Sequence, residues 1–431
     1  MTDAPRICFV TLGCPKNEVD SDRMAALVEA SAYHLVDTPE SADVVVLNTC
    51  SFIQEATEES IAGAFELATE WRPAADGRRF VIAGCLPSRY GDDLVDALPE
   101  ADAFVPVAEE SSLLEVLERL TGIAASAREP RPRTRPSATA YLKVSEGCDR
   151  RCAYCTIPAI RGPFVSAGPE ALLAEAQQLV SEGARELVLV GQDIASWGRD
   201  LGHEHDLAWL VSRVASLPGD FRIRLMYVQP DGVTDALLET MAAHERVCHY
   251  LDLPLQHASE AVLRAMGRGG NPEHHLALLA RIRSFLPDVV LRTTVMTGFP
   301  GETAADVAVL EAFLESAGFD YAGVFAYSPE EGTRAALAAG QVRPQERSKR
   351  AQRIRDVADR IGFDRATAHV GRTARVLVEG PDETGETVGR TCGQAPDVDG
   401  VTLIEADAAP GTFVMCRITD AVGYDLVGEP L

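Results

Sequence analysis

The chain has 431 residues, a formal net charge of −25 and 46% hydrophobic residues, which suits a globular protein of two or three domains with real cores. No run approaches the roughly 18–20 apolar residues that span a bilayer, and residues 1–10 show no signal-peptide pattern, so cytoplasmic residence is expected. The acidity disfavours a protein that grips nucleic acid by neutralising phosphates and suits a basic partner better.

From the amino terminus, apolar runs at residues 7–12, 44–47 and 80–83 read as strands. Helical patterns fall between them at 21–32 and 51–71, with Asp20 or Ser21 as the cap of the first. Strands alternating with helices imply a doubly wound parallel sheet. The Pro- and Arg-rich stretch 124–136 reads as a semi-extended, solvated linker. Six strands follow at 141–145, 186–191, 222–228, 250–255, 289–296 and 321–327, separated by helical patterns such as 169–182, 208–217 and 304–317. Six βα units are two short of a closed eightfold barrel and imply a partial (β/α)6 barrel with its site at the carboxyl face of the strands. The charged stretch 343–365 reads as a solvated helix crossing back along that barrel. Short strands at 373–378, 387–391, 402–404 and 413–419, separated by Gly, Asp and Pro turns, read as a small antiparallel β-barrel.

Ten cysteines in a long, non-secreted chain point to metal or catalytic roles rather than disulfides. Cys148, Cys152 and Cys155 form a C-x3-C-x2-C loop directly after the first barrel strand, with Tyr154 before the last cysteine. Three thiolates in one loop suit a 4Fe–4S cluster, which normally takes four cysteines, so one iron stays open. That iron can chelate the amino and carboxylate groups of S-adenosylmethionine (SAM). Structural zinc, the alternative, prefers four closed ligands. Arg150 and Arg151 flank the loop and would help retain an anionic cluster. Cys14, Cys50 and Cys85 each lie just past the carboxyl end of an N-terminal strand, where ligand sites of open parallel sheets lie. They should converge at one edge, as a second cluster site, a zinc site or three buried small residues. Cys8, Cys248, Cys392 and Cys416 have no partner spacing and read as core or surface thiols.

The Cys148 loop and the six βα units resemble the radical SAM superfamily. With Cys14, Cys50 and Cys85 and the terminal β-barrel added, the whole chain from Ile7 to Leu431 resembles the radical SAM methylthiotransferases. The resemblance implies an N-terminal methylthiotransferase domain at 5–122, a linker at 123–136, a radical SAM domain at 137–366 and a TRAM domain at 367–431. It also implies two 4Fe–4S clusters, the second held by Cys14, Cys50 and Cys85, and an electron donor such as flavodoxin or ferredoxin. Polar residues at the strand ends are candidates for SAM contacts: Gln192 and Asp193 after the second barrel strand, Gln256 and His257 after the fourth, and Gly298 and Glu302 after the fifth. The glycines of 297–302 would allow close backbone approach to a nucleoside. Taken singly, each of these residues also fits ordinary turn chemistry.

One branch of that family modifies an adenosine of transfer RNA and the other an aspartate of small-subunit ribosomal protein twelve. Leu12-Gly13-Cys14-Pro15-Lys16-Asn17-Glu18-Val19-Asp20-Ser21 resembles the LGCPKNxVDS pattern of the second branch, and Gly423-Tyr424-Asp425-Leu426-Val427-Gly428 resembles its ending. The segment from Gln192 to Gly198 resembles its QDT-x2-YG, although Ile194 and Trp197 replace the usual Thr and Tyr. From residue 367 on, four arginines face eleven acidic residues, a net of −7, which should repel phosphates and attract a basic ribosomal protein. The expected reaction adds a methylthio group to the β-carbon of that aspartate, with SAM as methyl donor and as radical source. A transfer-RNA enzyme, or a non-catalytic iron–sulfur carrier or RNA-binding adaptor, is the alternative.

Overall fold

A computed structural model describes residues 4–74, 77–125, 138–202 and 205–431. The expected linker at 123–136 lies, from residue 126 on, outside the described residues. The chain divides into two compact units, Met1–Arg135 with Glu146–Arg150 and Cys155–Phe164, and Pro136–Ser145 with Arg151–Tyr154 and Val165–Leu431.

The first unit holds a five-stranded parallel sheet of β1 (Arg6–Thr11), β2 (His34–Leu35), β3 (Val44–Thr49), β4 (Arg79–Gly84) and β5 (Ala103–Pro106), in the order β2-β1-β3-β4-β5. Successive side chains of a strand face opposite ways, and both faces are covered. Val44, Val46, Val81 and Ala83 pack with Met24, Val28, Leu113 and Leu117 on one side. Val45, Leu47, Phe80 and Ile82 pack with Ala64, Leu67, Trp71 and Leu86 on the other. This is the doubly wound arrangement. The first helix, α1, runs Pro15–Glu29, not 21–32. Pro15 supplies a preset φ at its first turn, so the expected cap at Asp20 or Ser21 is wrong; both lie inside the helix and are buried.

The second unit holds six parallel strands in chain order: Thr139–Lys143, Glu186–Val190, Arg222–Leu225, Val247–Gln256, Val290–Thr297 and Tyr321–Ala326. The sheet is open, a partial barrel, and its apolar side chains form one large core with the intervening helices. Helix Pro344–Thr367 was expected to be solvated, yet it buries Ala351, Ile354, Val357 and Ala358 in that core. Most of its Arg and Lys lie on the outer stripe, but Arg347 is buried. The C-terminal segment closes into a barrel of five strands, Thr373–Pro381, Thr387–Arg390, Thr402–Ile404, Phe413–Val422 and Asp425–Pro430. It is antiparallel except where Thr402–Ile404 pairs in parallel with the last strand.

Residues 390–399 anchor this small barrel at the amino ends of the partial-barrel strands. Glu186, fully buried, takes Arg222 at 2.8 Å, Arg224 at 2.6 Å and Arg390 at 2.8 Å. Burial pushes the Glu186 carboxyl up, but Arg224, Arg222 and Arg390 together outweigh it and hold it far below the usual carboxylate range. Tyr141 Oη donates to Asp397 at 2.5 Å and Tyr250 Oη to Asp399 at 2.7 Å.

Candidate functional site

In the first unit, the loops after β1, β3 and β4 carry Cys14, Cys50 and Cys85. Cys14 is the residue before the first turn of α1, and Cys85 opens the helix Cys85–Tyr90. Gly13 has φ +101°, and a β-carbon there would collide with Cβ of Cys50, so glycine is what lets the first loop close on the second. Cys50 is pinned by Ser60, whose Oγ accepts from the Cys50 N–H at 3.1 Å and donates to its carbonyl at 2.6 Å. The loops meet at Asn17, which is fully buried. Its Oδ1 accepts from the Cys14 thiol at 3.4 Å and, at 4.0 Å, faces that of Cys85, while its Nδ2 donates to the Thr49 carbonyl at 2.8 Å. The three expected cysteines are thus brought together.

Burial pushes the Cys85 thiol up to about 12, with the Arg161 charge pulling it back and Cys50 and Cys14 pushing it further up. Burial also raises Cys50. Metal binding to these thiols would release their protons. A buried cation beside them is Arg161, with a side chain 1% exposed. Its Nη2 donates to Cys85 Sγ at 3.4 Å and to Asn17 Oδ1 at 3.0 Å. Its Nη1 donates to Asp20 Oδ2 at 3.0 Å and to Glu146 Oε1 at 3.1 Å.

The Cys148 loop is shared between the two units: Cys148 and Cys155 fall in the first and Cys152 in the second. Within the first unit, the Cys148 N–H donates to the Gly162 carbonyl at 3.2 Å. Within the second, Ala153 is held by backbone bonds to Met266 and Ala335, and Arg268 lies 3.7 Å from Cys152 Sγ while donating to the Pro254 carbonyl at 2.5 Å. Arg151, one of the two expected cations, is exposed. Arg268 contacts a loop thiol that the flanking arginines were expected to serve. Among the described residues, no three His, Cys, Asp or Glu side chains close on a single ion-sized point.

The expected SAM residues lie along the carboxyl ends of the six strands. Asp193 is buried and accepts from Ser196 Oγ at 2.9 Å. Gln256 ends the fourth strand with φ +71°, and Tyr227, just past the third, has φ +62°. Non-glycine residues in this region are strained, and such strain clusters at functional sites. Gly298 (φ +76°) makes room for Arg347, with which a β-carbon would collide. Its N–H donates to both Glu302 carboxylate oxygens at 2.9 Å. Glu302 also pairs with Arg350 at 2.9 Å and lies 3.5 Å from His257 Nε2, so it locks the 297–302 loop. Among the described residues, the buried oxygens at or just past strand ends that lack a hydrogen-bond partner include Ser145 Oγ, Gln229 Oε1 and Thr297 Oγ1. Orphaned polar atoms of this kind are costly unless a polar ligand satisfies them, and a SAM-sized polar cofactor at the strand ends fits that chemistry. Sequence reasoning missed all three; their only signal was a polar residue at or just past an apolar strand.

Cys8 and Cys416 are core thiols. Cys248 and Cys392, without partner spacing in the sequence, hydrogen-bond to each other through their thiols. That bond, with the Arg222 and Arg224 charges, holds Cys392 below the ordinary thiol range.

Three family models match the chain: uncharacterized protein family UPF0004 over residues 6–106, the radical SAM superfamily over 142–314 and the TRAM domain over 370–431. The ribosomal protein uS12 methylthiotransferase RimO of Trichlorobacter lovleyi is 41% identical over 98% of both chains. The protein of the same name from Desulforudis audaxviator is 44% identical over 98% of this chain and 96% of its own. Among solved structures, the radical SAM methyltransferase TsrM of Kitasatospora setae superposes with a TM-score of 0.58 over 88% of this chain and 82% of that one; at 15% identity this speaks for the fold alone. Fold and matches define a radical SAM enzyme. Relatives of this identity and coverage place it further: the chain belongs to the ribosomal protein uS12 methylthiotransferase family.

Proposed function

We propose that the chain adds a methylthio group to the β-carbon of an aspartate in small-subunit ribosomal protein twelve. Cys148, Cys152 and Cys155 would hold one cluster, and Cys14, Cys50 and Cys85 the other, each set leaving an iron open. Bound there, the clusters and SAM would supply a deoxyadenosyl radical able to take a hydrogen atom from an unactivated C–H bond, the methyl group and a place to deliver sulfur. Arg268 beside Cys152 and Arg161 beside Cys85 set positive charge against the thiolates. Ser145, Gln229 and Thr297 offer buried polar atoms for SAM at the strand ends, with Gln192, Asp193 and Gln256 on the same rim. The Glu302 lock on Gly298 holds that rim in shape.

The observation that carries the reading is the pair of three-cysteine sets in one chain, because a single set would supply only the radical chemistry. The acidic C-terminal segment, four basic against eleven acidic residues, supports a basic protein substrate over RNA and membrane. No helix among the described residues is long and apolar enough to cross a membrane. A flavodoxin- or ferredoxin-type donor would supply electrons. Reconstituted, reduced enzyme that never cleaves SAM would remove the enzyme reading in favour of an electron carrier or adaptor.

A further inference from the structure

We propose that Arg161 is a positioning residue that locks the three N-terminal cysteine loops into one site and sets the reduction potential of the cluster they hold. The inference rests on the reading that Cys14, Cys50 and Cys85 are cluster ligands.

Three ligands contributed by separate strand ends need a common strut, or each loop sets its own sulfur position. Asn17 is half of that strut. It touches the thiols of Cys14 and Cys85 with its oxygen and holds Thr49, the neighbour of Cys50, with its nitrogen. Arg161 is the other half, because it fixes the Asn17 oxygen at 3.0 Å and reaches Cys85 Sγ directly at 3.4 Å. The opposite nitrogen of the guanidinium is held by Asp20, one turn further along α1, and by Glu146, two residues before Cys148. One planar group with donors in a fixed fork can serve all these acceptors at once, whereas a lysine ammonium is a point charge on a flexible stem. A strut built this way also ends on the loop that carries the other cysteine set.

The electrostatic consequence has a definite sign. Arg161 is buried and permanently charged, and burial weakens screening of its field. Reduction adds negative charge to a cluster, so a nearby fixed cation favours the reduced form. Asp20, 3.0 Å from the guanidinium, partly cancels that cation. Removing the arginine and removing its counter-charge should therefore move the potential in opposite directions. A role confined to holding the fold together would not produce that reversal.

The test uses the full chain with Cys148, Cys152 and Cys155 all replaced by Ala, reconstituted with iron and sulfide, so that only the N-terminal cluster reports. Iron content is measured first, and the midpoint potential then by redox titration followed by electron paramagnetic resonance. Arg161→Met should shift the midpoint negative by at least a tenfold change in the one-electron equilibrium, about 59 mV. Asp20→Asn should shift it positive. Arg161→Lys should stay nearer the parent in potential while retaining less iron. Unchanged potentials, or shifts of the same sign for Arg161→Met and Asp20→Asn, would overturn the inference. If Arg161→Met does not keep its cluster, Asp20→Asn decides alone: a positive shift supports the inference and no shift overturns it. A parent that binds no iron instead refutes the ligand reading of Cys14, Cys50 and Cys85.

Discussion

The two ends of the six-stranded sheet are made by the same strands and hold different kinds of polar group. At the amino ends, charge is buried and paired: Glu186 holds three arginines, Arg390 also reaches Glu379 at 2.7 Å, and Arg292 lies between Asp252 at 3.1 Å and Asp399 at 3.3 Å. At the carboxyl ends, Ser145, Gln229 and Thr297 present buried oxygens without partners, and Tyr227 and Gln256 hold left-handed backbone. The amino end is covered by the small barrel docked there, although Arg222 Nε, Arg292 Nε, Gln394 Nε2 and Asp399 Oδ1 also lack hydrogen-bond partners. The orphaned Ser145, Gln229 and Thr297 oxygens at the carboxyl end belong to neutral side chains, outside any ion-pair network. In parallel β/α folds the carboxyl end carries the chemistry and the amino end the stability, and here the buried ion-pair network lies at the amino end.

The comparison breaks most sharply at the cysteines. Cys152→Ala should abolish reductive cleavage of SAM, measured as deoxyadenosine released by reduced, reconstituted enzyme. Cys50→Ala should leave cleavage in place and stop methylthio transfer; loss of both activities would contradict separate duties for the two sets. At the amino end the expected effect is on stability instead. Glu186→Ala leaves three buried arginines short of their shared carboxylate and should cost about 3–5 kcal/mol, read from the denaturant midpoint, with SAM cleavage per folded molecule unchanged.

The same carboxylate gives a pH signature. Its folded pKa is depressed, so the stability it contributes is present above the ordinary glutamate pKa of about 4.3 and is lost as pH falls below it. Acid unfolding followed in parallel should show that slope in the parent and a shallower one in Glu186→Gln. Equal slopes would mean that the network is not ionised as drawn. The smallest effect is expected at the carboxyl end: Gln256→Gly relieves left-handed strain and should stabilise the chain by about 1 kcal/mol, while weakening SAM binding in equilibrium dialysis. Unchanged SAM affinity would remove Gln256 from the binding rim.

Much of this fold was legible because its strands are short apolar runs and its helices keep one apolar stripe, so the parallel class and the domain architecture followed from pattern, whereas the edge strands β2 and β5 did not. The cysteine sets were legible for a related reason: three thiols in one loop, and three more just past strand ends, are few enough to stand out. What stayed hidden depends on residues far apart in sequence. Arg161 reaches Asp20 and Cys85, Arg268 reaches Cys152, and Cys248 meets Cys392 only because distant segments fold together. Asp20 looked like a helix cap because short acidic residues often are, yet Pro15 had already started the helix. Gly298 also makes room for Arg347, a packing reason that sequence alone cannot separate from a binding one. Charged composition likewise made helix Pro344–Thr367 look solvated, because its small buried stripe is diluted by long side chains outside it.

The central claim is that the two cysteine sets together modify a ribosomal protein. Its most direct test is to supply reduced, reconstituted enzyme and SAM with purified small-subunit protein twelve or, separately, with transfer RNA, and to weigh the products. The account predicts a mass gain of one methylthio group on an aspartate-containing peptide of the ribosomal protein and none on transfer RNA. A methylthiolated adenosine with an unmodified ribosomal protein would contradict it.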